Sequence, residues 1–304
     1  MAELERKIAI IGAVGMLGHT LRDVFPNALL LDYDDKEQEV KKVDITQIES
    51  LEMALDGFGP NDWVVNAAAH TVVDDAETDE GRAKSWRTNE VGPKNLAIVS
   101  LSEGFQILHF STAYVFDGKK GMYREKDETN PINTYGKHKL AVEKPILNVG
   151  GVVLRTDALY GPHGRHLPFV DAIIKKIYDN LSKDIESIEV VNDQIGSPTY
   201  TSDLAHMAKA VIDNHTPITE GSVFHAVNEG RVSRADLARS IIEILGLRCE
   251  VIDVTTEMWN QKHRNGIPTA VRPYDCSLDT QELSKVYKPR TWNAALREYL
   301  TISR

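Results

Sequence analysis

The chain has 304 residues, 42% of them hydrophobic and 26% charged, which suits one large or two medium domains with a sizeable core. Its net charge of −10 excludes the basic stripe that nucleic acid requires, and no apolar stretch approaches the ~20 residues of a membrane helix. The two cysteines, Cys249 and Cys276, make no disulfide framework and fit a reducing compartment, so a cytoplasmic location is expected.

A Lys and an Arg precede the first apolar run, as in a secretory leader, but "KIAIIGAVGMLG" is broken by glycines. It reads better as a strand over 7–11, a tight turn and the start of a helix. Gly12, Gly15 and Gly18 occupy that turn at GxxGxxG spacing. The first glycine makes the turn, the second lets backbone approach a pyrophosphate, and the third packs helix on strand. The helix N-terminus offers amides and partial positive charge to phosphate. The next strand, "ALLLD" (28–32), ends in Asp32, 20 residues past Gly12, where an acid can bind adenosine ribose hydroxyls. Such a carboxylate repels a 2′-phosphate and Lys36 can offset it. The expected cofactor is therefore NADH or NADPH, with a lean toward NADH.

Further strands are expected at 62–69, 105–111 and 150–156, with helices at 82–103 and 134–144 between them. Alternating strand and helix gives βαβ units. The expected fold is α/β, a Rossmann-type doubly wound parallel sheet. A dinucleotide-binding domain spans 1–156. After 156 the rhythm loosens into amphipathic helices at 167–180 and 233–245 and short strands at 188–193, 222–227 and 249–254. This is read as a smaller α+β substrate-binding region, 157–304, with part of 186–228 a candidate to return to the sheet. Ser233 and Asp236 stand at capping-box spacing.

In "NTYGKHKLAVEK" (133–144), Tyr135 precedes Lys139 by four residues, which places both on one helix face. Free tyrosine, with a pKa near ~10, is a poor proton donor at neutral pH, and a nearby cation lowers that value. "STAYVFDG" (111–118) supplies Ser111 and Thr112 at the C-terminal end of a strand, where doubly wound sheets place ligands.

With these motifs the chain resembles the extended short-chain dehydrogenase/reductases, and among them the dTDP-4-dehydrorhamnose reductases. The resemblance covers nearly the whole chain through "GAVGMLG", "VDIT", "VVNAAAHTVVDDAE", "STAYVFDG", "NPINTYGKHKLAVEK", "VLRTDALYG", "NDQIGSPTYTSDLA" and Arg272–Pro273. It implies reduction of a nucleotide-linked 4-keto-6-deoxy sugar. Tyr135 is then the general acid. Lys139 lowers its pKa and holds the nicotinamide ribose, and Thr112 hydrogen-bonds the carbonyl oxygen. Gly15, Met16 and Leu17 line the pyrophosphate. Asp44 and Ile45 flank the adenine, and Ala67, Ala68 and Ala69 end a strand beneath the dinucleotide. Ala113, Ala158 and Arg272 join Thr112 and Tyr135 around the sugar, Arg272 toward a nucleotide phosphate or in a surface salt bridge.

Three places depart from the family pattern. Ala113 replaces an acid, Asp157–Ala158 replaces a stretch with a tryptophan, and His19–Thr20 stands where some bacterial members carry an acid for an interface metal. The sugar pocket is thus expected to be wider, and no metal is expected. A homodimer fits the resemblance, without a magnesium bridge. The departures also leave two alternatives open. One is a reductase or epimerase of a different nucleotide sugar. The other is a regulatory subunit resembling the beta subunit of methionine adenosyltransferase. His163 and His166 are read as a loop near the substrate, and the acidic run 74–80 as a solvated loop and helix start.

Overall fold

The computed structural model describes residues 6–34, 37–163, 167–215, 221–264 and 267–302. β1 (Ile8–Ile11) leads into α1 (Met16–Val24), β2 (Leu29–Asp32) and the short β3 (Lys41–Lys42). α2 (Ile48–Ala54), β4 (Trp63–Asn66) and α3 (Asp79–Trp86) follow. A π turn (Arg87–Val91) joins α3 to α4 (Gly92–Glu103). Pro93 has no N–H for the carbonyl of Asn89, and the helix widens there rather than breaking. β5 (Gln106–Thr112), α5 (Thr134–Asn148) and β6 (Val152–Thr156) close the first half.

β7 (Leu159–Tyr160), α6 (Phe169–Leu181), β8 (Ser187–Val191), β9 (Ile195–Gly196) and β10 (Thr199–Tyr200) come next. Then come α7 (Thr201–Asn214), β11 (Ser222–His225), β12 (Val232–Ser233) and α8 (Arg234–Leu245). β13 (Glu250–Val254), α9 (Thr256–His263) and α10 (Trp292–Ile302) complete the chain. Ser233 caps α8 by accepting from the Asp236 amide at 3.0 Å. Among the described residues no helix is long and apolar enough to cross a membrane.

The main sheet runs β11-β6-β5-β4-β1-β2-β3 and is parallel throughout. Its central strands β1, β4, β5 and β6 are buried on both faces, and the side chains alternate. Ile10, Val65, Leu108 and Leu154 point to the layer holding Leu17 and Leu21 of α1 and Leu204 and Val211 of α7. Ile11, Val64, Ile107 and Val153 point to the layer holding Leu51 of α2, Leu96 of α4 and Ile146 of α5. From β1 the chain winds one way to β3 and from β4 the other way to β11. The crevice therefore opens past the C-terminal ends of β1 and β4. β11 lies parallel to β6, so a strand from the second half of the chain, after α7, completes the sheet. The other elements gather around a second core of Tyr160, Ile177, Val190, Ile241 and Leu296, with β8 and β13 paired in parallel.

The strand expected through Ala69 stops at Asn66. The Asn66 side chain accepts the Ala68 amide at 3.2 Å, a local turn that takes Ala67–Ala69 out of the ladder.

Candidate active site

The glycine loop packs on its neighbours too closely for a side chain at Gly12 or Gly18. Gly12 has φ +85°, and an added Cβ would stand 2.5 Å from the Ala68 nitrogen. At Gly18 a Cβ would fall 2.1 Å from the Gly12 carbonyl oxygen, so this glycine seats α1 against the loop and is not on the cleft wall. Gly15 stands at the N-cap of α1 without a side-chain cap, which leaves the first-turn amides to an anion. Gly12, Gly15, Met16, Leu17, Asp32, Asp44, Ile45 and Ala67–Ala69 all line one cleft of about 570 Å³. Its glycine cradle and helix terminus fit a dinucleotide.

Asp32 also braces the loop. Its Oδ2 accepts from the Val14 amide at 2.9 Å and its Oδ1 from the Asp34 amide at 3.0 Å. Each oxygen retains a lone pair for a ribose hydroxyl. Lys36 lies outside the described residues. Asp32→Ala is expected to weaken both cofactors, and NADH more. Hydrogen bonds to charged groups are worth about 1.5–3 kcal/mol, so the NADPH/NADH ratio of kcat/KM should rise about tenfold. An unchanged ratio would show that the carboxylate serves the loop alone.

Three contacts fix the start of α5. Asn133 caps it, Oδ1 accepting from the Gly136 amide at 2.8 Å. Glu77 accepts from the amide and hydroxyl of Thr134 at 2.8 and 2.9 Å. A Cβ on Gly136 would meet the Tyr114 carbonyl oxygen at 2.2 Å, so the helix packs directly on the turn after β5. Tyr135, half-buried, lines both the dinucleotide cleft and a neighbouring pocket of about 350 Å³, beside Ser111. Thr112 lines that pocket and hydrogen-bonds Tyr135. Among the described residues the Thr156 hydroxyl, buried where the two spaces meet, has no hydrogen-bond partner.

The expected lowering of Tyr135 by Lys139 is not what the structure shows. Burial pushes the Tyr135 hydroxyl up to about 12; the Thr112 hydrogen bond opposes this, while Tyr114 and Asp157 add to it. Lys139 is 2% exposed, and burial brings its ammonium down to about 8, against a pull from Glu143. Its Nζ lies 3.2 Å from Nε2 of His109, whose Nδ1 is 3.1 Å from the Asn66 amide nitrogen. With that amide as donor, the neutral imidazole carries its proton on Nε2, facing Lys139, which further disfavours the ammonium. Burial and the Lys139 charge hold His109 well below its ordinary value.

Sequence reasoning missed His109, Asn66 and the buried Glu143–Arg155 pair. The Arg155 guanidinium meets Glu143 by two bonds of 3.0 and 2.7 Å, and the Ser111 hydroxyl donates to Glu143 at 2.5 Å. The signal was a His and an Arg inside otherwise apolar strand runs, where polar side chains need a partner. Asn89 in the π turn was also missed. It holds the His70 backbone at both its N–H and C=O, and His70 lines the dinucleotide cleft.

The second pocket gathers Asp157, Ala158, Phe169, Gln194, Arg234 and Cys276 with Thr112 and Tyr135. Ala158 has φ +42°, a strained value for a residue with a Cβ. Ala113 is not on the wall, contrary to expectation. A 3₁₀ turn, Ala113–Val115, rotates it into a cluster with Val115, Phe116 and Tyr123. Arg272 is not there either. Its guanidinium binds Asp74 at 2.7 Å, and Arg264 takes the other Asp74 oxygen at 2.5 Å. The acidic run 74–80 thus works in part as a structural tie. Thr20 is buried in α1 and bonds Thr201 at 3.1 Å, while the His19 and His163 rings sit 4.7 Å apart. His166 lies outside the described residues.

A family model described as the RmlD substrate binding domain matches residues 6–304. The spore coat polysaccharide biosynthesis protein SpsK of Bacillus subtilis is 34% identical over 298 residues, covering 97% of this chain and 96% of that protein. A dTDP-4-dehydrorhamnose reductase of Aggregatibacter actinomycetemcomitans is 32% identical over 304 residues, covering 96% and 97%. Among solved structures, a dTDP-4-dehydrorhamnose reductase of Clostridium acetobutylicum superposes with a TM-score of 0.79 at 34% identity, covering 98% and 99% of the two chains. One from Bacillus anthracis, in complex with NADP, gives 0.80 at 28% identity, covering 98% and 100%.

Proposed function

Because the chain belongs to the dTDP-4-dehydrorhamnose reductase family, we propose that it reduces the 4-keto group of a nucleotide-linked 6-deoxy sugar with NADPH or NADH. The observation that carries this reading is the position of Tyr135, whose side chain borders both the dinucleotide cleft and the adjoining pocket. A ketone in that pocket has a proton donor beside it and a cofactor cleft next door.

Bound in the cleft, the reduced nicotinamide supplies the hydride. The chain supplies the rest. The glycine loop and the α1 amides hold the pyrophosphate, and Asp32 holds the adenosine ribose. The Thr112 hydroxyl donates to the carbonyl oxygen as charge builds there. Tyr135 gives that oxygen its proton. Lys139 holds the nicotinamide ribose. The buried Glu143–Arg155 pair and the Asn133 and Glu77 caps keep α5, and so Tyr135, in register with β5 and β6. Both cysteines are free thiols, which supports work in the cytoplasm.

The test is to mix the protein with dTDP-4-dehydrorhamnose and reduced cofactor, follow the cofactor absorbance and identify the sugar product. Loss of absorbance matched by formation of the 4-hydroxy sugar is expected. A protein that binds NADPH but reduces none of a panel of nucleotide 4-keto-6-deoxy sugars would refute the proposal.

A further inference from the structure

We propose that Asp157 is a substrate-reading residue, its carboxylate accepting a hydrogen bond from a ring hydroxyl of the sugar. The inference rests on the reductase reading above and goes beyond it to one group of the substrate. Asp157 is 7% exposed and stands on the wall of the sugar pocket. The Ser197 amide donates to Oδ2 at 2.7 Å. Gly196 makes room, since a Cβ there would come 2.3 Å from Oδ2. Oδ1 has a weaker neighbour, the Cys276 thiol, whose sulfur is 3.8 Å from each oxygen. One oxygen is thus clamped by backbone, while the other has lone pairs to spare at the wall of a pocket.

An ionised carboxylate only accepts, so its partner is a donor, and a neutral hexose offers hydroxyls. The unpartnered Thr156 hydroxyl, one residue earlier, is buried on the same wall. The charged and titratable groups around Asp157 are Arg234 at the start of α8, Cys276, Tyr114 and Tyr135. Burial raises the Asp157 carboxyl to about 6, with the Ser197 amide and Arg234 opposing. It is therefore mostly ionised at neutral pH and loses its charge below about 6.

The experiment uses the full chain, NADPH and dTDP-4-dehydrorhamnose, with wild type and Asp157→Asn. Losing a charged acceptor should raise KM about tenfold to a hundredfold, with kcat falling far less. Wild-type KM should rise as pH falls through about 6, and the KM of Asp157→Asn should stay flat. Sugar analogues lacking one ring hydroxyl at a time supply a control that a purely structural role would not move. One of them should bind wild type at least tenfold worse and lose that penalty in the variant. Wild-type KM and wild-type penalties in Asp157→Asn would overturn this inference alone. A wild type that binds NADPH yet reduces no sugar would overturn the reductase reading with it. Should Asp157→Asn fail to bind NADPH, and so fail to fold, Asp157→Ser and the wild-type pH profile decide. A wild-type KM flat from pH 5 to 8 refutes the proposal.

Discussion

Tyr135→Phe is expected to lower kcat by about 10²–10⁴-fold, the range of general acid catalysis, and to leave cofactor affinity nearly intact. The substitution removes one oxygen and keeps the ring packed edge-on to Tyr114, 6.3 Å away. The wild-type hydroxyl, pushed up to about 12 by burial, stays protonated throughout the neutral range. The acid is therefore always loaded, and its difficulty is letting go of the proton. In the ligand-free chain the Thr112 hydroxyl opposes that rise; with a ketone bound its single proton goes to the carbonyl oxygen. Single-turnover rates with saturating NADPH measure the effect directly. A variant that turns over at the wild-type rate would remove Tyr135 from the chemistry.

Lys139→Met should produce an enzyme that is far less active and yet more stable. Activity falls because the ammonium that serves the cofactor is gone, and a loss of about a hundredfold in kcat/KM is expected from one buried charged hydrogen bond. Stability moves the other way. Burial lowers the ammonium from 10.5 to about 8, so at pH 7 the fold carries a charge it disfavours. That gap corresponds to on the order of 3 kcal/mol. The sign follows from proton counting. Between about 8 and 10.5 the unfolded chain binds more protons at this lysine than the folded chain. The cost is thus full below pH 8 and fades as pH rises toward 10.5. Thermal unfolding without cofactor should show the variant above wild type at pH 7, with the difference closing at alkaline pH. A variant less stable than wild type at pH 7 would show that Lys139 is a structural cation.

The glycine turn, Asp32 and the Tyr135–Lys139 pair were legible because each rests on local spacing along one turn or one helix. The alternating strands were legible for the same reason. Strand ends were less so, since the Asn66 side chain that stops β4 outweighs the apolar run continuing to Ala69. α7 and α10 did not stand out as helices, although their buried faces pack on α1 and α8 respectively. What surrounds Lys139 was not legible. Asn66, His109 and Lys139 lie on two strands and a helix, and only strand register brings them together. Arg272 and Asp74 are 198 residues apart, and nothing in either neighbourhood announces the pair. Ala113 was misplaced because a 3₁₀ turn, invisible in the residue pattern, rotates it inward.

The outer position of β11 bears on how the protein is made. β6 has its second neighbour only when residues 222–225 arrive. Until then Val152–Thr156 is a bare parallel edge, with unpaired amides and carbonyls flanked by apolar side chains. At about 5–20 residues per second, a ribosome needs roughly 11–45 s to reach Ser222–His225, and the nascent sheet stays open-sided for the last part of that time. A fragment ending at Thr156 would keep that edge permanently and would be prone to self-association, even though it holds the whole glycine loop and Lys139.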